Sequence, residues 1–178
     1  MGAADYKVIE CCFELHGESI LAIFNQVIGT STALYEYDPR TITQIEQWFD
    51  AKQSGNFPVV GIESVQGKLL AFGSYGSFRA YPAFKYTVEH SVYVAEQARG
   101  LGLGRMMIQA LIEKAREAKY HALIGAIDSA NAASCHLHER LGFERVGTLP
   151  QVGFKFGRWL DLALYQLTLE TPEDPVDG

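Results

Sequence analysis

The stretch from Ala98 to Arg105, "ARGLGLGR", sets three glycines in five residues and places an arginine on either side of them. Glycine lacks the Cβ atom that would keep a ligand oxygen away from the backbone. The run follows the apolar segment "HSVYV" and leads into "GRMMIQALIEKAREAKY", where Met107, Leu111 and Ala115 recur at helical spacing with charge on the opposite side. A helix start offers unpaired amide N–H groups and the positive end of the helix dipole. A strand, a glycine loop and a helix in that order therefore predict an anion site, with Arg99 and Arg105 adding charge. Two familiar phosphate loops do not fit. A Walker loop ends in Gly-Lys-Ser/Thr, but Gly104 is followed by Arg105 and Met106; a dinucleotide fingerprint begun at Gly102 requires a further glycine where Met107 stands. The spacing present is Arg99-x-x-Gly102-x-Gly104.

Working outward, "KVIECCFEL" reads as a first strand. "GESILAIFNQVIG" reads as a helix with Ile20, Phe24, Val27 and Ile28 at helical spacing and Gly29 as its end. "DPRTITQIEQWFDAKQSG" gives a second helix, with Ile42, Ile45, Trp48 and Phe49 on one face and Gly55 beyond it. "FPVVGIES", "KLLAFGSYGSF" and "KYTVEHSVYVA" read as three strands, the first two joined by the turn "VQGK". After the long helix come a buried strand, "HALIGAID", a helix in "NAASCHLHERLG" closed by Gly142, and strands in "FERVGTLPQVGF" and "RWLDLALYQLTL". The predicted order is βααβββαβαββ, an α/β fold with a mixed sheet flanked by helices and a parallel pair at its centre.

At 178 residues the chain can bury a full core, and one domain over residues 1–170 is expected, followed by an acidic, proline-rich flexible tail over 171–178. The hydrophobic fraction of 48% and charged fraction of 20% are ordinary for a globular protein. The start, "MGAADYKVIE", lacks the basic region and apolar core of a secretory signal, and Tyr6 stands where myristoylation asks for Ser or Thr. A cytoplasmic location is expected, with no membrane partner. Cys11, Cys12 and Cys135 are odd in number and lack CxxC spacing, so buried free thiols are expected rather than disulfides or zinc. His136 and His138 diverge on their helix and make no metal pair; no metal is expected. A net charge of -6 argues against nucleic acid as a partner.

The Arg99-x-x-Gly102-x-Gly104 loop resembles the acetyl-CoA loop of the GNAT N-acetyltransferase superfamily, Q/R-x-x-G-x-G/A between a strand and a helix. "NAASCHLHERLGFERVG" resembles that superfamily's second marker, an Asn, small residues and a helix ending in Leu141, Gly142 and Phe143, with His138 where most members carry Tyr. "TVEHSVYV", "NAASCHLHERLGF", "PQVGFKFGRWLDL" and "YEYDPRTITQIEQWF" together resemble the phosphinothricin and methionine sulfoximine N-acetyltransferases, from about Val8 to Leu169. The resemblance implies a centrally splayed sheet, acetyl-CoA as cosubstrate and a homodimer. It also implies direct acetylation of the α-amine of a small amino-acid-like substrate such as methionine sulfoximine, methionine sulfone or phosphinothricin. Transfer to a peptide N-terminus or a polyamine, and a non-catalytic acyl-CoA sensor, stay open beside it.

In the resembled family the pyrophosphate lies on the loop, here Arg99, Gly100, Leu101, Gly102, Leu103, Gly104 and Arg105. The pantetheine arm pairs with the backbone of Val92, Tyr93 and Val94 as an added strand. Asn131 and Ser134 are implied to meet the arm as well, although Asn131 reads equally as a helix N-cap. An α-amino group ionises near pH ~8, so a base is useful, and Glu89 is the candidate; the alternative is an exposed glutamate on an edge strand. His138 is implied as the acid that protonates the departing thiolate, or else as a group that bonds the sulfur or packs. The positions matching Arg79, Ala80 and Tyr81, and Glu89, His90 and Ser91, face the amino acid. The Arg79 fork suits a carboxylate or phosphinate, against a plain solvated loop arginine. Tyr81 stands where an arginine or another residue is expected of relatives. "GFKFGRWLDL" is implied to close the site and to meet a second subunit.

Overall fold

The elements follow one another in the predicted order: β1 (Tyr6–Glu10), α1 (Phe13–Thr30), α2 (Ile42–Ser54), β2 (Val59–Ser64), β3 (Leu69–Ser77), β4 (Thr87–Val94), α3 (Leu103–Glu117), β5 (Ala122–Asp128), α4 (Ala132–Arg140), β6 (Glu144–Lys155) and β7 (Arg158–Thr168). Single 3-10 turns at Pro82–Phe84 and Glu96–Ala98 flank β4. The structure, a computed structural model, describes residues 6–177. The first half of "MGAADYKVIE" and the last residue of the tail lie outside the described residues.

The seven strands form one sheet in the order β1-β2-β3-β4-β5-β7-β6. β4 and β5 are its parallel pair, as the strand, loop, helix, strand reading predicts. Their ladder runs from Thr87↔Ala122 to His90↔Gly125, although β4 continues to Val94 and β5 to Asp128. β5 keeps its other partner throughout, with β7 antiparallel to it from Ala122↔Thr168 to Asp128↔Leu162. The parallel ladder stops at His90 and Gly125.

The chain divides into two compact units, the described part of Met1–Tyr75 with Ser91–Leu111, and Gly76–His90 with the described part of Ile112–Gly178. In the first unit Ile20, Ile23, Phe24, Val27 and Ile28 bury one side of α1. The Phe24 ring is the hub: Phe72 lies 4.8 Å away, Tyr93 5.0 Å and Trp48 5.6 Å, and the Arg40 guanidinium sits 3.9 Å over it. Burying an apolar ring such as Phe24 or Phe72 contributes about 1.5–3 kcal/mol. α2 begins in a capping box, where Thr41 Oγ1 accepts from the Gln44 N–H at 3.3 Å and Gln44 Oε1 accepts from the Thr41 N–H at 2.7 Å. Gly29 does not end α1. Helical φ suits it, nothing lies within 4 Å of a Cβ built there, and the helix continues through Thr30 to an extended Ser31.

In the second unit α4 starts at Asn131, whose Oδ1 accepts from the Ser134 N–H at 3.1 Å, and stops before Gly142 at φ +87°. β6 and β7 close through Phe156 and Gly157, both at positive φ, which is the backbone of a two-residue hairpin loop. Leu160, Ala163 and Tyr165 of β7 are buried while Leu162 and Leu164 are half-buried, so the simple leucine alternation does not define one inner face. Thr171 Oγ1 donates to the Tyr120 carbonyl, and the Val176 N–H donates to the Tyr86 hydroxyl at 3.2 Å.

All three thiols are free, but only Cys135 is buried; Cys11 and Cys12 are half-buried. They leave the core because β1 is an outer strand and Cys12 caps α1. Burial, and then Glu63 and Cys12, push the Cys11 thiol up to about 12.

Candidate active site

In the first unit the glycine loop has the form its sequence predicts. Ala98 and Leu103 are buried and pin its ends, while Arg99, Gly100, Leu101, Gly102 and Arg105 are exposed. Gly100 and Gly102 both sit at φ +79°, and nothing lies within 4 Å of a Cβ built on either. Such a φ costs an L-residue roughly 1–2 kcal/mol. A side chain would also occupy the space above the loop. Helix α3 takes its first turn from the Gly102 carbonyl, which accepts from the Met106 N–H at 3.2 Å, so the amides of Leu103, Gly104 and Arg105 precede any intrahelical acceptor. The cradle is thus bare backbone at a helix start with two exposed guanidinium groups.

β4 lies between β3 and β5, so Glu89 is on a central strand and the edge-strand reading falls. Val88 and His90 are buried, Glu89 and Ser91 are half-buried, and Tyr93 turns its ring into the Phe24 cluster. Val92 and Val94 are half-buried. Burial holds the Glu89 carboxyl above its ordinary range, opposed by the nearby charge of Arg79. Arg79 is exposed yet oriented: its Nη1 donates to the Phe78 carbonyl at 2.8 Å and its guanidinium stacks 4.1 Å from the Phe78 ring. Ala80 and Tyr81 are exposed, with Tyr81 at the start of the Pro82–Phe84 turn.

The second unit brings together two residues that the sequence reading kept apart. His90 Nε2 lies 3.2 Å from His138 Nε2, and the two rings stack at 15° with centroids 5.1 Å apart. Phe143 packs edge-on against both, at 5.5 Å and 5.0 Å. Gly125 makes the arrangement possible, because a Cβ there would stand 3.1 Å from His90 Nε2 and 3.2 Å from His138. His138 Nδ1 lies 2.7 Å from the Ser134 carbonyl. Burial lowers both imidazoles; His138 lowers His90 further, while the Ser134 bond partly offsets the shift at His138. His136 is exposed on the other side of α4. The cues available in sequence were a glycine inside an apolar strand and a histidine one residue after the candidate base. Neither names its partner.

Asn131 is the N-cap of α4, and Ser134 joins that cap to His138 through its own N–H and carbonyl. In "GFKFGRWLDL", Arg158 donates to the buried Asp128 carboxylate at 2.7 Å, and Phe154 and Trp159 meet edge to face with centroids 5.2 Å apart while both stay largely exposed. Among the described residues no group of three or more His, Cys, Asp or Glu could hold a metal ion, and no helix is long and apolar enough to cross a membrane.

The acetyltransferase (GNAT) family matches residues 16–143. An L-methionine sulfoximine/L-methionine sulfone acetyltransferase from Pseudomonas paraeruginosa is 48% identical over 151 residues, which are 85% of this chain and 88% of that protein. An N-acetyltransferase from Staphylococcus aureus Mu50 has a TM-score of 0.89 at 41% identity, covering 92% of this chain and 98% of its own. A GNAT superfamily phosphinothricin acetyltransferase from Sinorhizobium meliloti, in complex with AcCoA, has a TM-score of 0.92 at 28% identity, covering 98% and 95%. The chain belongs to the GNAT acetyltransferase family.

Proposed function

We propose that this protein transfers acetyl from acetyl-CoA to the α-amino group of a small amino-acid-like substrate. Methionine sulfoximine, methionine sulfone and phosphinothricin are the substrate class, and the protein acts as a cytoplasmic homodimer. The observation that carries the reading is the 48% identity, over most of both chains, to a methionine sulfoximine and sulfone acetyltransferase.

The loop supports the cosubstrate. Backbone amides from Gly100 to Arg105 would hold the pyrophosphate where two glycines leave the approach open, with Arg99 and Arg105 supplying charge. Val92, Tyr93 and Val94 lie past the end of the parallel ladder, and their backbone would pair with the pantetheine arm. The Asn131 cap uses Oδ1, so its Nδ2 would donate to a pantetheine carbonyl, with the Ser134 hydroxyl beside it in sequence.

The substrate arrives as an ammonium ion. Glu89, raised toward the working pH by burial, takes one proton and frees the amine. The amine attacks the thioester carbonyl, a strand N–H from Val92 to Val94 stabilises the oxyanion, and collapse breaks the C–S bond. The nitrogen gives up its second proton and the thiolate gains one, so the balance is N-acetyl product, CoA thiol and one released proton. The Arg79 fork, held by Phe78, binds the substrate carboxylate or phosphinate, and Ala80, Tyr81, Ser91 and the backbone of His90 shape the remainder. For the dimer, Val152, Phe154, Phe156 and Trp159 expose an apolar surface on the β6–β7 hairpin.

The test is thiol release from acetyl-CoA with methionine sulfoximine, methionine sulfone, phosphinothricin and a short peptide offered separately. Release with the small amino acids and an N-acetylated product by mass spectrometry is the expected result. Release with the peptide alone, or acetyl-CoA binding without turnover, overturns it.

A further inference from the structure

Both ring nitrogens of His138 are already engaged. The Ser134 carbonyl can only accept, so His138 Nδ1 carries the hydrogen of their 2.7 Å bond. A neutral imidazole has one N–H, which leaves His138 Nε2 as a bare lone pair. His90 Nε2, 3.2 Å away, must then be the donor. His90 is left with a bare Nδ1, which is buried with no hydrogen-bond partner among the described residues.

The opposite polarity requires a charged pair. It would put a proton on His90 Nδ1, a buried atom with no acceptor facing it, and a cation among Phe143, Gly125 and Tyr165. Among the described residues the influences on the two imidazoles are burial, the neighbouring ring at His90 and the Ser134 bond at His138, and no carboxylate is one of them. The Tyr165 hydroxyl donates to Glu139 at 2.9 Å and bonds Cys135, and burial, with those two neighbours, holds it well above the usual phenol range. Glu89 leaves β4 on the face opposite His90. Burial works in the same direction, keeping both imidazoles neutral.

We propose that His138 is a positioning residue and not the proton donor to the thiolate: with His90 it locks a hydrogen-bond chain that fixes the first turn of α4 to strand β4. The chain runs from His90 Nε2–H to His138 Nε2, from His138 Nδ1–H to the Ser134 carbonyl, and from the Ser134 N–H to Asn131 Oδ1. One end is the residue next to Glu89. The other is the residue proposed to hold the pantetheine arm. The ring bridges the two, and Gly125 gives it the room. His138 thus acts on acetyl-CoA through Asn131 and Ser134, with no N–H to give away. This inference rests on the acetyl-transfer reading for its catalytic part and on the histidine geometry alone for the tautomers.

The first measurement is two-bond ¹⁵N–¹H correlation of the full-length protein labelled at histidine, at pH 7. Expected are hydrogens on Nδ1 of His138 and Nε2 of His90; a hydrogen on Nε2 of His138 overturns the proposal. The second compares variants with methionine sulfone as substrate. His138→Asn keeps a donor at the Nδ1 position and no acid, whereas His138→Phe and His90→Phe cut the chain. A positioning role predicts that His138→Phe raises the acetyl-CoA KM about tenfold with kcat within about threefold, that His90→Phe does the same, and that the double variant is no worse than either. It also predicts that His138→Asn recovers most of the lost affinity and leaves the alkaline limb of the pH profile in place. A drop in kcat of about a hundredfold in His138→Asn at unchanged KM, with that limb displaced, marks an acid and sinks the proposal. Should His138→Phe fail to fold, His138→Asn and the tautomers decide. Should the wild type turn over no amine, the proposed function falls by itself, and acetyl-CoA affinity by calorimetry replaces KM in the same comparison.

Discussion

At the scale of single residues, the environment of Glu89 makes a prediction with two signs. Its carboxyl is raised by burial, so the folded chain binds a proton in a pH window where the unfolded chain has already ionised. Stability therefore falls as pH rises through that window, and the penalty is complete once the folded carboxyl has ionised. Activity moves the other way, because the base must be ionised. Glu89→Gln is expected to lose about 10²-fold or more in kcat/KM and to lack the acid limb of the wild-type profile. It is also expected to melt higher than wild type at pH 7, with the gap closing toward pH 4. Full activity across the range would remove Glu89 from the mechanism. Gly125→Ala forces a methyl to 3.1 Å from His90 and 3.2 Å from His138, and a cost of about 1–3 kcal/mol is expected in urea unfolding. Glu89 was legible in the sequence because strand alternation and its place before "HSVYV" single it out. The His90–His138 pair was not, because 48 positions separate them and only the parallel β4–β5 ladder and α4 bring them together.

Elements whose ends are decided locally could be read with confidence in their physics. The glycine loop is one: its φ values and open face are what three alternate glycines before an amphipathic helix require. Gly102→Ala should weaken acetyl-CoA binding about tenfold by calorimetry while costing roughly 1–2 kcal/mol of stability, since the strain and the obstructed cradle act together. α2 is another. Thr41→Ala removes the Oγ1 that caps the Gln44 amide and should cost about 1 kcal/mol without touching acetyl-CoA affinity. The end of α1 was misplaced at Gly29, because a glycine is a stop signal only where the chain needs positive φ, and here it does not. The irregularities of β6 left no trace in its letters either. Its register slips between Arg145 and Gly147 and again between Leu149 and Gly153, as a bulged strand does when its partner fixes the ladder.

For the whole molecule, element order and the mixed sheet followed from periodicity; the division into two compact units did not. The proposed homodimer belongs to this scale. Trp159 is 60% exposed and set edge to face against Phe154, so it offers a large apolar surface that a partner would cover. Trp159→Glu is expected to convert a dimer to a monomer in light scattering; an unchanged mass in a wild type that is dimeric would move the interface off this hairpin.

The chain has two tryptophans, and each compact unit contains one. Trp48 is wedged among Phe24, Phe49 and Phe72, whereas Trp159 looks outward. Their emission should differ in colour and in quenching by iodide, which makes the protein its own two-channel reporter. With Trp48→Phe or Trp159→Phe in place, a single fluorophore remains, and denaturation can be watched from one unit at a time. Coincident curves would mean that the two units melt as one cooperative body, and separated curves that one can loosen while the other holds.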